Sequence, residues 1–367
     1  MAPFARPLRR ASQPPSIEES SMAVQNTRRS LLVQGTRVAA LALTPGLALT
    51  QPRPLAEAAL VTPGPGSAVS FIPELAVKIG ADRAEGVALR LRFVSGGGVA
   101  IREIDDDNAQ FGVFGLPAAM QANLSAPRFV ALAAIENRAL LSLMVRSDLK
   151  GVVRRVEDLR GRVLGIHSNS LSTSTTGHQF LMLVLREHGI RPDEVRFVAA
   201  GQSWDTESSA LQSRTADAIV TEEPFGLRLS LEGLAYPLVR IGHVDDPGTL
   251  PGEKVLRGTL IAKRSLVAAQ PRLAESLVRV MQRTLAWRKT HTASEVIGAL
   301  GLAGPEARPF LTMLQQYPQQ FSDDGKFSAV QLAQTEEFFR KSAGDSPEAV
   351  AYRLESMLVD RWAGRKP

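Results

Sequence analysis

The feature that most restricts this chain is an alternation. Short apolar runs suited to strands give way to polar or glycine-rich loops, which lead into segments with apolar residues at helical spacing. Leu159 to Ile190 shows the pattern best. Arg162 to Ile166 is an apolar run, Ser168 to Thr176 is almost entirely Ser, Thr, Asn and Gly, and Phe180, Leu181, Leu183, Val184 and Leu185 mark the buried side of a helix. Backbone N–H groups at a helix start lack intrahelical partners and carry the positive end of the dipole. A loop of hydroxyls feeding into them therefore suits a polar or anionic group. Capping of the helix by Ser or Thr explains such a turn equally well, and its place in the fold decides between the two.

The same unit recurs along the chain. Strands are predicted over 59–62, 87–94, 111–114, 129–134, 140–145, 162–166, 195–199, 216–220 and 255–262, with a short helix over 156–159 and a longer one over 203–213. Pro63 to Ser67, Ser95 to Gly98, Gly115 to Pro117 and Thr221 to Phe225 are the loops at strand ends. Pro117 suits the first turn of a helix over 118–123. Beyond residue 262 the pattern turns helical, over 265–290, 292–300, 305–317, 328–342 and 347–362. Strand alternating with helix implies an α/β fold whose largely parallel sheets are covered on both faces. Ligands of such sheets bind beyond the carboxyl ends of the strands.

Composition removes several function classes. The chain has 44% hydrophobic and 22% charged residues, which suits a globular protein rather than a disordered one. Of the net charge of +6, residues 1–58 supply +4 through seven Arg and three Glu, so the remainder is near neutral and offers no nucleic-acid surface. With no cysteine there is no disulfide, thiol nucleophile or Cys-ligated metal. Thr27-Arg28-Arg29-Ser30-Leu31-Leu32 precedes an apolar stretch over 38–49 that Pro45 and Gly46 interrupt. Residues 1–58 are therefore read as a twin-arginine-type signal peptide, with Ala56-Glu57-Ala58 as a small-x-small site and cleavage expected before Ala59.

Several motifs in order resemble the nitrate/sulfonate/taurine-type solute-binding proteins of bacterial ABC importers, a group that includes thiamine-pyrimidine-precursor binders. They are Ser95-Gly96-Gly97, Phe111 to Pro117, Val156 to Gly165, Thr215 to Val220, Glu223-Pro224-Phe225 and the helix after Gln270-Pro271. The resemblance covers about residues 59–302. It implies a two-lobed periplasmic-binding-protein fold of type II, with lobe 1 at 59–141 plus 263–367, lobe 2 at 142–262 and a ligand cleft between. It further implies a periplasmic monomer that closes on a solute such as a sulfonate, nitrate or other organic anion and delivers it to a membrane permease and its ATPase. Alternatives within the same fold are an aminopyrimidine binder and a ligand-sensing partner of a receptor. Carried over by position, the contacts are Gly64, Gly66, Ser67, Gly97, Gly115 and Leu116 from lobe 1. Lobe 2 would give Ser170, Ser172, Thr173, Ser174, Thr221 and Glu222. Glu222 stands where the family commonly has an aromatic residue, and Trp204, after another strand, is the candidate to supply a ring instead.

No catalytic residue, metal or cofactor is expected. His167 and His178 flank the hydroxyl loop, and a Ser–His–Glu222 triad can be drawn on paper, but there is no Gly-x-Ser-x-Gly elbow. His167, His178, His243, Asp245 and Asp246 lack close ligand spacing, and neither a Gly-x-Gly-x-x-Gly nor a P-loop pattern occurs. Ser172→Ala and Thr173→Ala are each expected to weaken solute binding in calorimetry. Unchanged affinity in both would place the solute elsewhere.

Overall fold

The computed structural model describes residues 54–167, 173–243, 250, 254–344 and 346–366. Its strands are β1 (Ala56–Pro63), β2 (Val87–Val94), β3 (Phe111–Gly115), β4 (Phe129–Ala134), β5 (Leu141–Arg146), β6 (Val163–Ile166), β7 (Arg196–Ala199), β8 (Ala218–Glu222), β9 (Ala235–Ile241), β10 (Gly258–Lys263), β11 (Phe327–Ser328) and β12 (Arg365–Lys366). The helices are α1 (Ala68–Lys78), α2 (Ala81–Ala84), α3 (Gly97–Asp105), α4 (Leu116–Ser125), α5 (Thr176–Glu187), α6 (Trp204–Gln212), α7 (Phe225–Leu231), α8 (Arg264–Ala269), α9 (Pro271–Thr290), α10 (Ala293–Leu300), α11 (Gly304–Gln316), α12 (Ala329–Ala343) and α13 (Pro347–Ala351).

Two five-stranded sheets organise the chain, in the orders β2-β1-β3-β10-β4 and β7-β6-β8-β5-β9. Each has the same construction. A parallel triplet (β2, β1 and β3, or β7, β6 and β8) is extended by two strands joined through antiparallel ladders. Alternate residues of a strand serve opposite faces, so each sheet has two apolar layers. Leu60 and Phe111 face one layer of the first sheet, whereas Val61 and Phe114 face the other. Leu143 and Val220 face one layer of the second sheet, and Met144 and Ile219 the other.

The chain leaves the first sheet through residues 135–140 and returns between β9 and β10. Because β10 pairs with both β3 and β4, the return lies ahead of Gly258 rather than at the expected boundary of 262/263. β9 escapes the sequence pattern because Pro237 interrupts its apolar run. The strand tolerates that proline because it is an edge, paired only with β5 beside a register shift at Leu143/Met144. Ala56 to Ala58, the proposed cleavage triplet, lies within β1 opposite Val87 to Leu89, so cleavage before Ala59 would remove three paired residues. The arginine pair and apolar stretch of the proposed signal lie outside the described residues.

The carboxyl-terminal pattern over 347–362 is α-helical only to Ala351, with a single 3-10 turn following over Leu354–Met357. Leu358 bridges Ala131, and Val359 N–H donates to the Ala131 carbonyl at 2.9 Å, so this segment covers the exposed edge of β4 instead of coiling. The helix before it, α12, serves both sheets. Phe338 is buried in the core of the second sheet, and its neighbour Phe339 in the core of the first. Ser342 Oγ donates to Gln179 Oε1 on α5 at 3.3 Å, and Thr335 Oγ1 accepts from Leu256 N–H on the return crossing at 2.9 Å. Phe338→Ala and Phe339→Ala should each lower the unfolding free energy by about 3–5 kcal/mol in urea titration. A loss below about 1 kcal/mol at either position would show that its ring is not part of a packed core.

Candidate ligand-binding site

Loops from the carboxyl ends of β1, β2 and β3 meet those of β6, β7 and β8. Three contacts between them admit almost no side chain. A Cβ on Gly98 would stand 2.2 Å from Thr173 Oγ1, and one on Gly115 would stand 2.1 Å from Thr176 Oγ1. At Gly64, with φ +50°, it would meet the Gln202 carbonyl oxygen at 2.4 Å. Hydrogen bonds cross the same seam, from Ala68 N–H to the Glu223 carbonyl at 3.1 Å and from Gln179 Nε2 to the Pro117 carbonyl at 3.0 Å. The cleft is shut. Between the loops lies a space of about 20 Å³, room for one water, bounded by Pro63, Gly97, Gly115, His167, Thr175, Thr176, Gly177, Gln202 and Arg257.

Two helix starts face one another across this space, α3 through Gly97 and α5 through Thr176 and Gly177. Two others are already engaged: Ala68 of α1 bonds Glu223, and Leu116 N–H of α4 donates to the Arg257 carbonyl at 2.9 Å. Around the space, several buried polar atoms have no hydrogen-bond partner among the described residues: His167 Nε2, Thr176 Oγ1 and Gln202 Oε1 on its walls, with Thr62 Oγ1 and Glu207 Oε1 buried on the adjoining strand and helix. Unpaired buried polar atoms are costly, and their gathering here makes this cleft the candidate site.

Arg257 supplies a cation, but not a free one. Its guanidinium contacts Glu222 and lies 3.3 Å from Glu136 Oε2, all three side chains being almost wholly buried. Glu136 also accepts from Gly258 N–H at 2.9 Å and from Gln320 Nε2 at 3.1 Å. Nearby, Glu207 accepts from Thr221 Oγ1, and burial pushes its carboxyl well above the usual range, so it is held as the neutral acid. Burial, reinforced by the charge of Arg257, pushes the His167 imidazole down to about 3. Among the described residues no group of three or more His, Asp or Glu could hold a metal ion.

The residues expected from sequence divide accordingly. Gly64, Gly97, Gly115 and Thr173 lie at the cleft or its closing contacts. Ser170 and Ser172 lie outside the described residues. The other seven do not line the central space. The Leu116 side chain is in the apolar core, and Ser67 Oγ bonds back to the Pro63 carbonyl. Thr221 is spent on Glu207, and Ser174 faces a surface hollow with His178 and Phe197. Glu222 is a partner of Arg257 and Gln202 rather than a free contact. Trp204 and Gly66 border a separate hollow of about 330 Å³, where Arg228 stacks 3.8 Å from the indole centroid. Gln202 and Arg257 are site residues that the sequence pattern does not single out, while His167 and Thr176 were noted there only as a triad or metal candidate and as the end of the hydroxyl loop.

The family model described as NMT1/THI5 like matches residues 83–293, more than half of the chain. The chain belongs to the NMT1/THI5-like family. A comparison with curated proteins found no match. Among solved structures, a protein from Bordetella bronchiseptica RB50 is 18% identical, with a TM-score of 0.76 over 84% of this chain and 96% of that one. The alkanesulfonate-binding protein SsuA from Xanthomonas axonopodis pv. citri, bound to MOPS, is 15% identical with a TM-score of 0.64 over 84% and 99%. The periplasmic nitrate-binding protein NrtA from Synechocystis PCC 6803 is 10% identical with a TM-score of 0.65 over 83% and 86%. At these identities the likeness shows the fold, and the NMT1/THI5-like chain has the two-lobed architecture of periplasmic binding proteins.

The buried imidazole makes stability depend on pH. Folded His167, with its pKa at about 3, releases its proton where an unfolded imidazole near 6.5 keeps it. The unfolded state therefore binds more protons between those values, and stability falls as pH drops through them by up to about 1.4 kcal/mol per unit. Glu207 acts oppositely, since the folded state retains its proton above the ordinary carboxylate range and loses stability as pH rises. In urea titrations between pH 6 and 4, His167→Gln should lose less stability than wild type. Equal slopes would mean that His167 accepts a proton in the folded state.

Proposed function

We propose that this protein is the periplasmic solute-binding component of an ABC importer, exported with a cleaved twin-arginine-type signal and acting as a monomer. Its two lobes part to admit a small solute and close around it, and the closed form is what a permease and ATPase would recognise. A solute drives that change only through contacts it makes better when the cleft is shut. The observation that carries this reading is the group of buried polar atoms, unpaired among the described residues, that gathers beside two helix starts where loops of the two sheets meet.

The helix starts of α3 and α5 suit an anionic head such as a sulfonate, nitrate or carboxylate, held by N–H groups and the Thr176 hydroxyl. An acceptor in the same cleft favours a second reading, an aminopyrimidine, because Gln202 Oε1, unpartnered among the described residues, suits an N–H donor. We read the role as binding without chemistry on the solute. Glu222 is engaged by Arg257 and Gln202 rather than by an imidazole, which supports that reading.

Thermal unfolding of the purified protein with sulfonates, nitrate, carboxylates and aminopyrimidines tests the proposal. A cognate solute at about a hundred times its Kd should stabilise the protein by about 2.7 kcal/mol, a rise of several degrees in Tm. Gly98→Val, which wedges the seam at Thr173, should reduce that rise. If no solute of the four classes moves Tm, the binding role is wrong.

A further inference from the structure

We infer that Gln202 selects the solute by requiring a hydrogen-bond donor, so that anions made only of acceptors are disfavoured. The inference rests on the solute-binding reading and concerns the same cleft. Gln202 is 4% exposed and lines the central space. Its Nε2 donates to Glu222 Oε1 at 2.8 Å. Glu222 also contacts the Arg257 guanidinium, and a carboxylate paired with a guanidinium is ionised and only accepts. Chemistry therefore fixes which end of the Gln202 amide faces Glu222. Turning it over would set two buried oxygens against each other.

What the amide then presents to the solute is Oε1, an acceptor with no partner among the described residues. The Gln202 carbonyl packs beside Gly64, where a Cβ would stand 2.4 Å from it. The starts of α3 and α5, whose first N–H groups lack intrahelical partners, line the same space. The cleft is thus two-sided, with donors from the helix starts and an acceptor at Gln202. Its complement carries acceptors at one end and an N–H or O–H at the other: a hydroxy- or amino-substituted acid, or an amino-substituted heterocycle. Nitrate and an unsubstituted alkanesulfonate would leave Oε1 unpaired and facing a second acceptor. A polar site rejects an analogue that lacks the group it was built to bond far more strongly than an apolar pocket rejects a missing methylene.

Matched pairs differing by one donor test this in calorimetry at neutral pH: 2-hydroxyethanesulfonate against ethanesulfonate, lactate against propionate, and 4-aminopyrimidine against pyrimidine. In at least one pair the donor-bearing member should bind about tenfold or more tightly, the gain expected when a buried acceptor finds its partner. Gln202→Met keeps the side-chain length without the acceptor and should bring that ratio to about one. A merely structural role would lower affinity for both members and leave the ratio intact. Equal or tighter binding of the acceptor-only members, or a ratio that survives Gln202→Met, overturns the selection by Gln202 and leaves the solute-binding role standing. Absence of binding by all six probes counts against the solute-binding role itself and removes the selection with it.

Discussion

The cleft depends on one buried cation. Arg257 stands just before β10, at the return from the second sheet to the first, and meets Glu136 of the outward crossing and Glu222 at the end of β8. Both passages between the sheets are tied to one guanidinium. Its backbone carbonyl also caps the first turn of α4, so the same residue orders a helix start on the cleft wall. Taking these charges out of water is expensive, and the group holds only as a complete set. Removing one member of such a pair typically costs about 3–5 kcal/mol, because the survivor stays buried without compensation. The sequel is electrostatic. With Arg257 committed to carboxylates, whatever positive potential the cleft offers a solute comes from helix starts and N–H groups, which favour a modest charge over a dense one.

Most of the fold was legible because it rests on local periodicity. The 87–94 and 129–134 strands match the structure at both ends, and those over 111–114 and 195–199 do so within a residue. Where the pattern misled, a tertiary partner outweighed it. Val350, Leu354, Leu358 and Trp362 fall at helical spacing, yet the edge of β4 offered the backbone around Leu358 hydrogen bonds that a continued helix would forgo. The loops at strand ends were the right place to look for a site. The glycines there were found because close backbone approach leaves a compositional trace.

The polar groups that complete the site leave no such trace. Gln202 reads as one more residue before a predicted helix, and Arg257 as one position within the predicted strand over 255–262. What makes them matter is a partner 20 residues away for Gln202 and 121 away for Arg257, a distance that no periodicity encodes. Glu222 was legible as unusual but not in its role. From sequence it is a carboxylate beside a ligand; in the fold it holds Arg257 with one oxygen and orients an amide with the other. A fold shared with sulfonate- and nitrate-binding proteins cannot supply that distinction, since the chemistry of a site is set by side chains grafted on the architecture.

The straddling helix α12 bears on affinity at a distance. Parting the lobes at the cleft pulls on a helix that has one phenylalanine anchored in each core. If the helix moves with the first lobe, Phe338 must leave the second, and the open state is charged with exposing an aromatic ring. The solute sees only the balance between open and closed forms, and its apparent Kd scales inversely with the fraction already competent to hold it. In the proposed solute-binding role, two adjacent residues in the last forty of the chain would thus act as a tuning screw for a cleft they do not line, setting binding strength without a word about which solute is bound.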